Sequence, residues 1–384
     1  MTRKNFDPSE DSLRAVLATW LVQGEGCTPA DAVERYGLDA VLAACEREGV
    51  ASLVHARLSE MEGAQLVPLE LLRALAVRAR LCAARSLLCL SEARRIQRAL
   101  GDAGIQTIWL KGIALGHWLY PRTHLRDIAD IDLLLPDYAT TLRAAEVLAP
   151  LGYTLPNAHI AGDLVVHELL AFSQRASLEL DLHWDLSNGA LFAGRLPWST
   201  LSSDAIPVPG LGDGARGLSP VHAFLHACLH LAAGKLVWPE DRLRWLYDIH
   251  LLALHFDAET WTHLPSVAQE AQLADPCAYA LRACQEVFGT PVSDGVLQTL
   301  EAATGAEGIR TARLGRWGYF QWACWQRLPH LSKRLRWLRQ MLFPDLAHLR
   351  VRYGADGASP LRLSARRVID GGRRWWGYVQ RASS

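Results

Sequence analysis

Residues 109–136, reading WLKGIALGHWLYPRTHLRDIADIDLLLP, constrain the fold more than any other stretch of the chain. The pattern predicts a short apolar strand, a turn at Lys111-Gly112, a helix over Ile113 to Tyr120 stopped by Pro121, and a second strand carrying Asp130 and Asp132. Side chains at i and i+2 of a strand share a face. Asp130 and Asp132 are therefore expected side by side, with Ile131, Leu133 and Leu135 directed into the core. Adjacent carboxylates repel, and a hard divalent cation relieves that repulsion; Mg²⁺ is typically held by one or two carboxylates plus substrate phosphates. The pattern points to metal-assisted chemistry on a phosphate-bearing substrate, with Mg²⁺ or Mn²⁺ as the ion. A glycine at a strand-to-helix turn lets backbone N–H groups approach phosphate, and the helix N-terminus adds partial positive charge. Lys111, one of only four lysines, would add a point charge beside Gly112.

A second stretch, SLELDLHWDL at 177–186, alternates strictly. Leu178, Leu180, Leu182 and Trp184 fall on one face, and Glu179, Asp181, His183 and Asp185 on the other. Such a strand lines either solvent or a cleft. Glu179 and Asp185 are roughly 20 Å apart along it, so the three acids cannot all serve one metal site. The alternation alone leaves Glu179, Asp181 and Asp185 as candidates.

Three features together, LKGIAL, then Tyr120-Pro121, then Arg126 followed by DIDLLL, resemble the DNA polymerase beta-type nucleotidyltransferase superfamily, and more closely a family of uncharacterised bacterial nucleotidyltransferases. The resemblance extends from about residue 70 to beyond residue 350. One departure is plain: the superfamily's turn has glycine followed by serine or glycine, whereas Ile113 follows Gly112 here. The resemblance implies an α+β fold, a nucleotidyltransferase-fold mixed sheet flanked by N-terminal and C-terminal helical regions. It implies transfer of a nucleotidyl group from a nucleoside triphosphate to an acceptor of unknown identity. Asp130 and Asp132 would be catalytic and metal-binding, and Lys111, Gly112 and Arg126 nucleotide-binding. It also selects Asp181, which precedes His183-Trp184, as the third catalytic and metal-binding carboxylate, with Glu179 second. Arg244 and Asp248, in DRLRWLYDIHLL, and His183 are expected to complete the cleft wall. Two other classes stay open: a transferase of another phosphate-linked group such as a sugar, and a non-catalytic nucleotide- or RNA-binding protein on the same fold.

Around this core the pattern is helical. From Ser9 to Leu100, Leu, Ala and Val recur at spacings of three and four, and Pro68 opens the longest helix, with Leu71, Leu72, Leu75, Leu87, Leu88 and Ile96 as its apolar stripe. A helix is expected over 137–150, a short strand at LGYTL, and a buried strand over Asp163 to Phe172. Ser219-Pro220 reads as a helix start. His222, His226 and His230 then share one face, but i to i+8 spans about 12 Å, too far for one ion. The expected organisation is a helical region 1–100, the nucleotidyltransferase core 101–210, a helical region 211–308 and a basic region 309–384.

Charge separates the last region from the rest. The chain is neutral overall, yet residues 309–384 hold 16 Lys and Arg against 3 Asp and Glu, together with six of the fourteen tryptophans. Two readings are open: docking on the acidic body, or an anionic partner such as a membrane surface or nucleic acid. The eight cysteines form no C-x-x-C pair and read as reduced core thiols, and no apolar run is long enough to span a membrane. A cytoplasmic location is expected.

Overall fold

The computed structural model describes residues 8–24, 26–61, 67–155, 167–173, 176–238 and 240–342, with Ser359, Arg362 and Arg366. The fold is mixed α+β. Five helices come first: α1 (Pro8–Leu21), α2 (Pro29–Tyr36), α3 (Leu38–Glu48), α4 (Ala51–Glu60) and α5 (Leu69–Asp102). Thr28 caps α2 by accepting the Asp31 N–H, with Pro29 in the first turn, where its missing N–H costs nothing.

The sheet is built from β1 (Ile108–Trp109), β2 (Ile131–Leu134), β3 (Tyr153–Thr154), β4 (Glu168–Ser173), β5 (Leu178–His183), β6 (Ile206–Pro207) and β7 (Arg216–Gly217). Its order is β3-β4-β5-β2-β1-β7-β6. The β2/β5 and β1/β7 pairs are parallel and the others antiparallel. Helix α6 (Lys111–Trp118) crosses between β1 and β2, and α7 (Tyr138–Leu148) follows β2, capped by Asp137. Eight helices complete the described chain: α8 (Trp198–Ser203), α9 (Pro220–Gly234), α10 (Leu243–His255), α11 (Ala258–Glu270), α12 (Ala274–Phe288), α13 (Asp294–Glu307), α14 (Trp317–Arg327) and α15 (Leu331–Leu342). Ser219 caps α9 through the His222 N–H, as its sequence signature predicts.

Two apolar cores result. One lies on one face of the sheet and takes in Ile131, Leu133, Leu180, Leu182, Leu148 and the C-terminal half of α5. The other joins the N-terminal helices to α9, α10 and α12, and reaches the opposite sheet face at Ile108 and Leu134. Helical segments far apart in sequence thus share a core. Polar contacts join them too: Glu48 accepts the Leu243 N–H, and Arg57 donates to the Tyr247 hydroxyl.

Helix α5 corrects one expectation. Leu71, Leu75 and Ile96 are fully buried, but Leu87 is 68% exposed and Leu88 41%. A 34-residue helix spans about 50 Å, and this one packs by Leu71 and Leu75 in one core and by Cys89, Ala93, Ile96 and Leu100 in the other. Its apolar stripe therefore changes direction midway, which leaves Leu87 and Leu88 outside. Strand boundaries differ as well. β2 begins at Ile131, so Asp130 sits at the bend before it, and α6 begins at Lys111 rather than Ile113. Of the strand expected over 163–172, β4 covers the part from Glu168, and residues 163–166 lie outside the described residues.

The basic end contacts the body at two described arginines and packs partly on itself. Arg310 pairs with Asp275 at 3.3 Å, Arg327 donates to the Glu307 carbonyl, and Trp337 packs on Trp325. Trp317, Trp322, Leu331, Leu335 and Leu338 are exposed. The motif RRWWGYVQR lies outside the described residues. Among the described residues no helix is long and apolar enough to cross a membrane, and the eight cysteines are free thiols.

Candidate active site

Asp132 and Asp181 are brought together by register. β2 and β5 pair in parallel with Asp132 opposite Asp181, Ile131 opposite Leu180 and Leu133 opposite Leu182. The four apolar residues are each fully buried in the sheet core. A one-residue slip would expel them, so burying them fixes both carboxylates on the opposite face, toward the helical core. His183, two residues after Asp181, points the same way and lies opposite Leu134 on one side and Glu168 on the other. Oxygens of Asp132 and Asp181 and a ring nitrogen of His183 all lie within 4.8 Å of one another.

Lys111 closes the cluster. It adopts φ +46°, a left-handed conformation that non-glycine residues take at a cost of about 1–2 kcal/mol. Its Nζ lies 2.5 Å from Asp132 Oδ1, and His183 Nε2 lies 3.0 Å from the same oxygen. Burial works against the Asp132 carboxylate, but the Lys111 charge and the His183 hydrogen bond outweigh it and hold the group well below the usual range. The neighbouring acids go the other way. Burial, with repulsion from Asp132 and Glu168, raises Asp181 to about 7, and burial and Asp132 also raise Asp130. For His183, burial opposes protonation while Asp132 favours it, with a net upward shift. Its Nδ1 is 3.4 Å from Glu168 Oε2 but makes no aligned hydrogen bond. Four carboxylates, those of Asp130, Asp132, Asp181 and Glu168, interact here, and burial and mutual repulsion raise two of them. Asp132, Asp181 and His183 together could hold a metal ion.

The other sequence candidates have separate positions. Glu179 is exposed, opposite Phe172, at the far end of β5. Asp185 lies past the strand end, where its carboxylate accepts the Ser187 and Gly194 N–H groups and caps a turn. Arg126 is buried against Asp248: Nε and Nη2 donate to the carboxylate at 2.7–2.9 Å, and Nη1 donates to the Asp127 carbonyl. Tyr120 donates its hydroxyl to the same carboxylate at 2.6 Å. The Tyr120-Pro121 and Arg126 positions thus clamp α10 onto the segment between α6 and β2. Gly112 lies against this clamp, with the Arg126 guanidinium within van der Waals reach. Arg244 lies near Asp127, at 3.8 Å, beside a cavity of about 280 Å³ whose lining also includes Lys111, Gly112, Asp130, His226 and Asp248. Sequence reading gave no role to Glu168 or Tyr120. Their signal is spatial, because each acts through a partner on another element.

His222, His226 and His230 are separated along α9 and take different neighbours. His222 stays at the helix cap with Ser219, 3.1 Å away, and His230 packs edge-on against Trp245. Burial depresses His226 to about 3 and His230 well below its ordinary value.

The mixed α+β fold with its open seven-stranded mixed sheet is consistent with a nucleotidyltransferase-type fold. The chain belongs to the family described as uncharacterised nucleotidyltransferases, whose family model matches residues 36–289. No curated protein matches the chain.

Proposed function

We propose that the protein transfers a nucleotidyl group from a nucleoside triphosphate to an acceptor hydroxyl or phosphate in a metal-dependent reaction. The observation that carries this reading is the Asp132–Asp181 register across β2 and β5, with Lys111 on Asp132 at the start of α6. Asp130, Asp132 and Asp181 would hold Mg²⁺ or Mn²⁺, and His183 would orient Asp132. The bound ions would supply charge stabilisation at the attacking and leaving oxygens.

Lys111 and the N–H groups opening α6 receive the triphosphate, with Lys111 turning from Asp132 to the β- and γ-phosphates. Asp181 accepts the proton of the attacking acceptor group. The new bond forms between that oxygen and the α-phosphorus, the α–β phosphoanhydride bond breaks, and pyrophosphate leaves. Arg126 acts as a positioning residue: by holding Asp248 it fixes α10 over the turn that contains Lys111 and Gly112.

The test is a thermal-shift screen of all nucleoside triphosphates and nucleotide sugars with and without Mg²⁺ or Mn²⁺, followed by pyrophosphate detection with the ligands that bind. A ligand at 100 times its Kd adds about 2.7 kcal/mol of stability. Metal-dependent stabilisation by a triphosphate, with pyrophosphate release once an acceptor is supplied, is the expected result. Stabilisation by nucleotide sugars alone would transfer the reading to sugar-phosphate chemistry, and binding without turnover across acceptor fractions would favour a binding protein.

A further inference from the structure

The cavity beside the carboxylate cluster has a chemistry of its own. Lys111, Gly112 and Asp130 border it at one end, and α9 and α10 wall it at the other. Asp181 and His183 are not among its lining residues, so it extends from the phosphate end of the site away from β5. In the proposed reaction the acceptor approaches Asp181. The cavity is therefore on the donor's side.

Its lining divides into groups that are satisfied and groups that are not. Arg126 and Asp248 saturate one another. His226 is 3% exposed and its Nε2 has no hydrogen-bond partner, although it sits in a cavity wall. A buried polar atom left unpaired costs about 1–3 kcal/mol, and this one belongs to a residue of the cavity wall. Burial and the nearby Lys111 charge keep this imidazole neutral. Arg242 and Arg244 also line the cavity, and their Nε atoms are buried without partners. The Arg242 guanidinium lies 3.9 Å over the Trp238 ring, which rigidifies both. Trp118, Trp238 and Trp245 supply flat apolar walls.

Aromatic walls, the neutral imidazoles of His226 and His230 and two arginines beside a phosphate-binding turn complement a flat uncharged heterocycle joined to an anionic chain. We propose that this cavity binds the nucleoside half of the donor, with the base packed on the tryptophan walls and His226 Nε2 hydrogen-bonded to its edge. This assignment rests on the nucleotidyltransferase reading of the adjacent carboxylates. It adds a recognition site contributed by helices outside the sheet.

Calorimetric titration of nucleoside triphosphates and of inorganic tripolyphosphate, each with Mn²⁺, tests it in the full chain. The proteins compared are wild type, His226→Leu, His226→Gln and Trp238→Ala. Trp238 is 42% exposed at the cavity rim, so its replacement leaves the core intact. Wild type should bind a triphosphate more tightly than tripolyphosphate. His226→Leu should weaken nucleotide binding about tenfold, with His226→Gln recovering most of that loss. Trp238→Ala should weaken it about fivefold or more. Tripolyphosphate affinity should stay unchanged in all three variants. Nucleotide affinity that is unaffected by both His226→Leu and Trp238→Ala, or that falls in step with tripolyphosphate affinity, overturns the nucleoside pocket. Wild type binding tripolyphosphate as tightly as nucleotide also overturns it while sparing the carboxylate site; binding neither overturns both readings.

Discussion

Two buried charge clusters lie near each other, and they are built on opposite plans. In the Arg126–Asp248 clamp, both carboxylate oxygens and all three guanidinium nitrogens have partners, and Tyr120 adds a further hydrogen bond. In the Lys111–Asp132–His183–Asp181 cluster, Asp132 is doubly paired, yet Asp181 and Asp130 are raised by burial and by like charge. The first cluster is satisfied internally and holds helices in place. The second gathers carboxylates whose proximity folding alone does not favour and whose repulsion a cation would offset. A buried ion pair is by itself weak grounds for stability or for function, so the distinction rests on which groups remain unsatisfied.

The largest effect should come from breaking the satisfied cluster. Arg126→Ala leaves Asp248 buried without its cation and should destabilise the fold by about 3–5 kcal/mol in urea denaturation. A change below about 1 kcal/mol would mean that the clamp does not hold α10. The same helix supplies a pH test. His250, buried on α10 beside Thr290, has its pKa depressed by burial to about 4. The unfolded chain therefore binds a proton that the folded chain refuses between about pH 6.5 and 4. Stability from this group is fully present above pH 6.5 and is lost as pH falls toward 4. His250→Gln should flatten that acid limb by up to about one proton, read from denaturation midpoints across the range.

In the unsatisfied cluster, Lys111→Ala should weaken triphosphate binding about tenfold, the worth of one charge-assisted contact. Unchanged nucleotide affinity would make Lys111 only the partner of Asp132. The smallest stability effect belongs to Asp181→Asn. Removing a carboxylate that burial and repulsion disfavour should leave stability within about 1 kcal/mol of wild type, or raise it, while turnover is lost. A large loss of stability would place Asp181 with the structural cluster.

The two clusters also differ in how far they could be read from sequence. Period-two alternation in DIDLLL and LELDLH put Asp132 and Asp181 on polar strand faces, because burying Ile131, Leu133, Leu180 and Leu182 leaves the acids one face to occupy, and the family resemblance then selected Asp181 among three acids. The same rule placed Asp130 in the strand, whereas pairing begins only at Ile131, and alternation carries no information about where a ladder starts. It also kept Asp185 among the candidates, although the strand ends at His183 and a tight turn claims that carboxylate. Arg126 and Asp248 are 122 residues apart, and nothing local in either segment announces the pair. The resemblance assigned Arg126 to the nucleotide, and its pairing with Asp248 became visible only in the fold. The stripe on α5 failed at Leu87 and Leu88 because one period was assumed for a helix that serves two cores.

Titration of Mn²⁺ with a bound-competent triphosphate into wild type, Asp132→Asn and Asp181→Asn, with turnover measured on the same samples, bears most directly on the central claim that the unsatisfied cluster is a metal-dependent catalytic site. Wild type should show nucleotide affinity that depends on Mn²⁺. Asp132→Asn should lose that dependence and all turnover, and Asp181→Asn should retain metal-assisted binding yet lose turnover. Metal dependence and turnover unchanged in both variants would contradict the account.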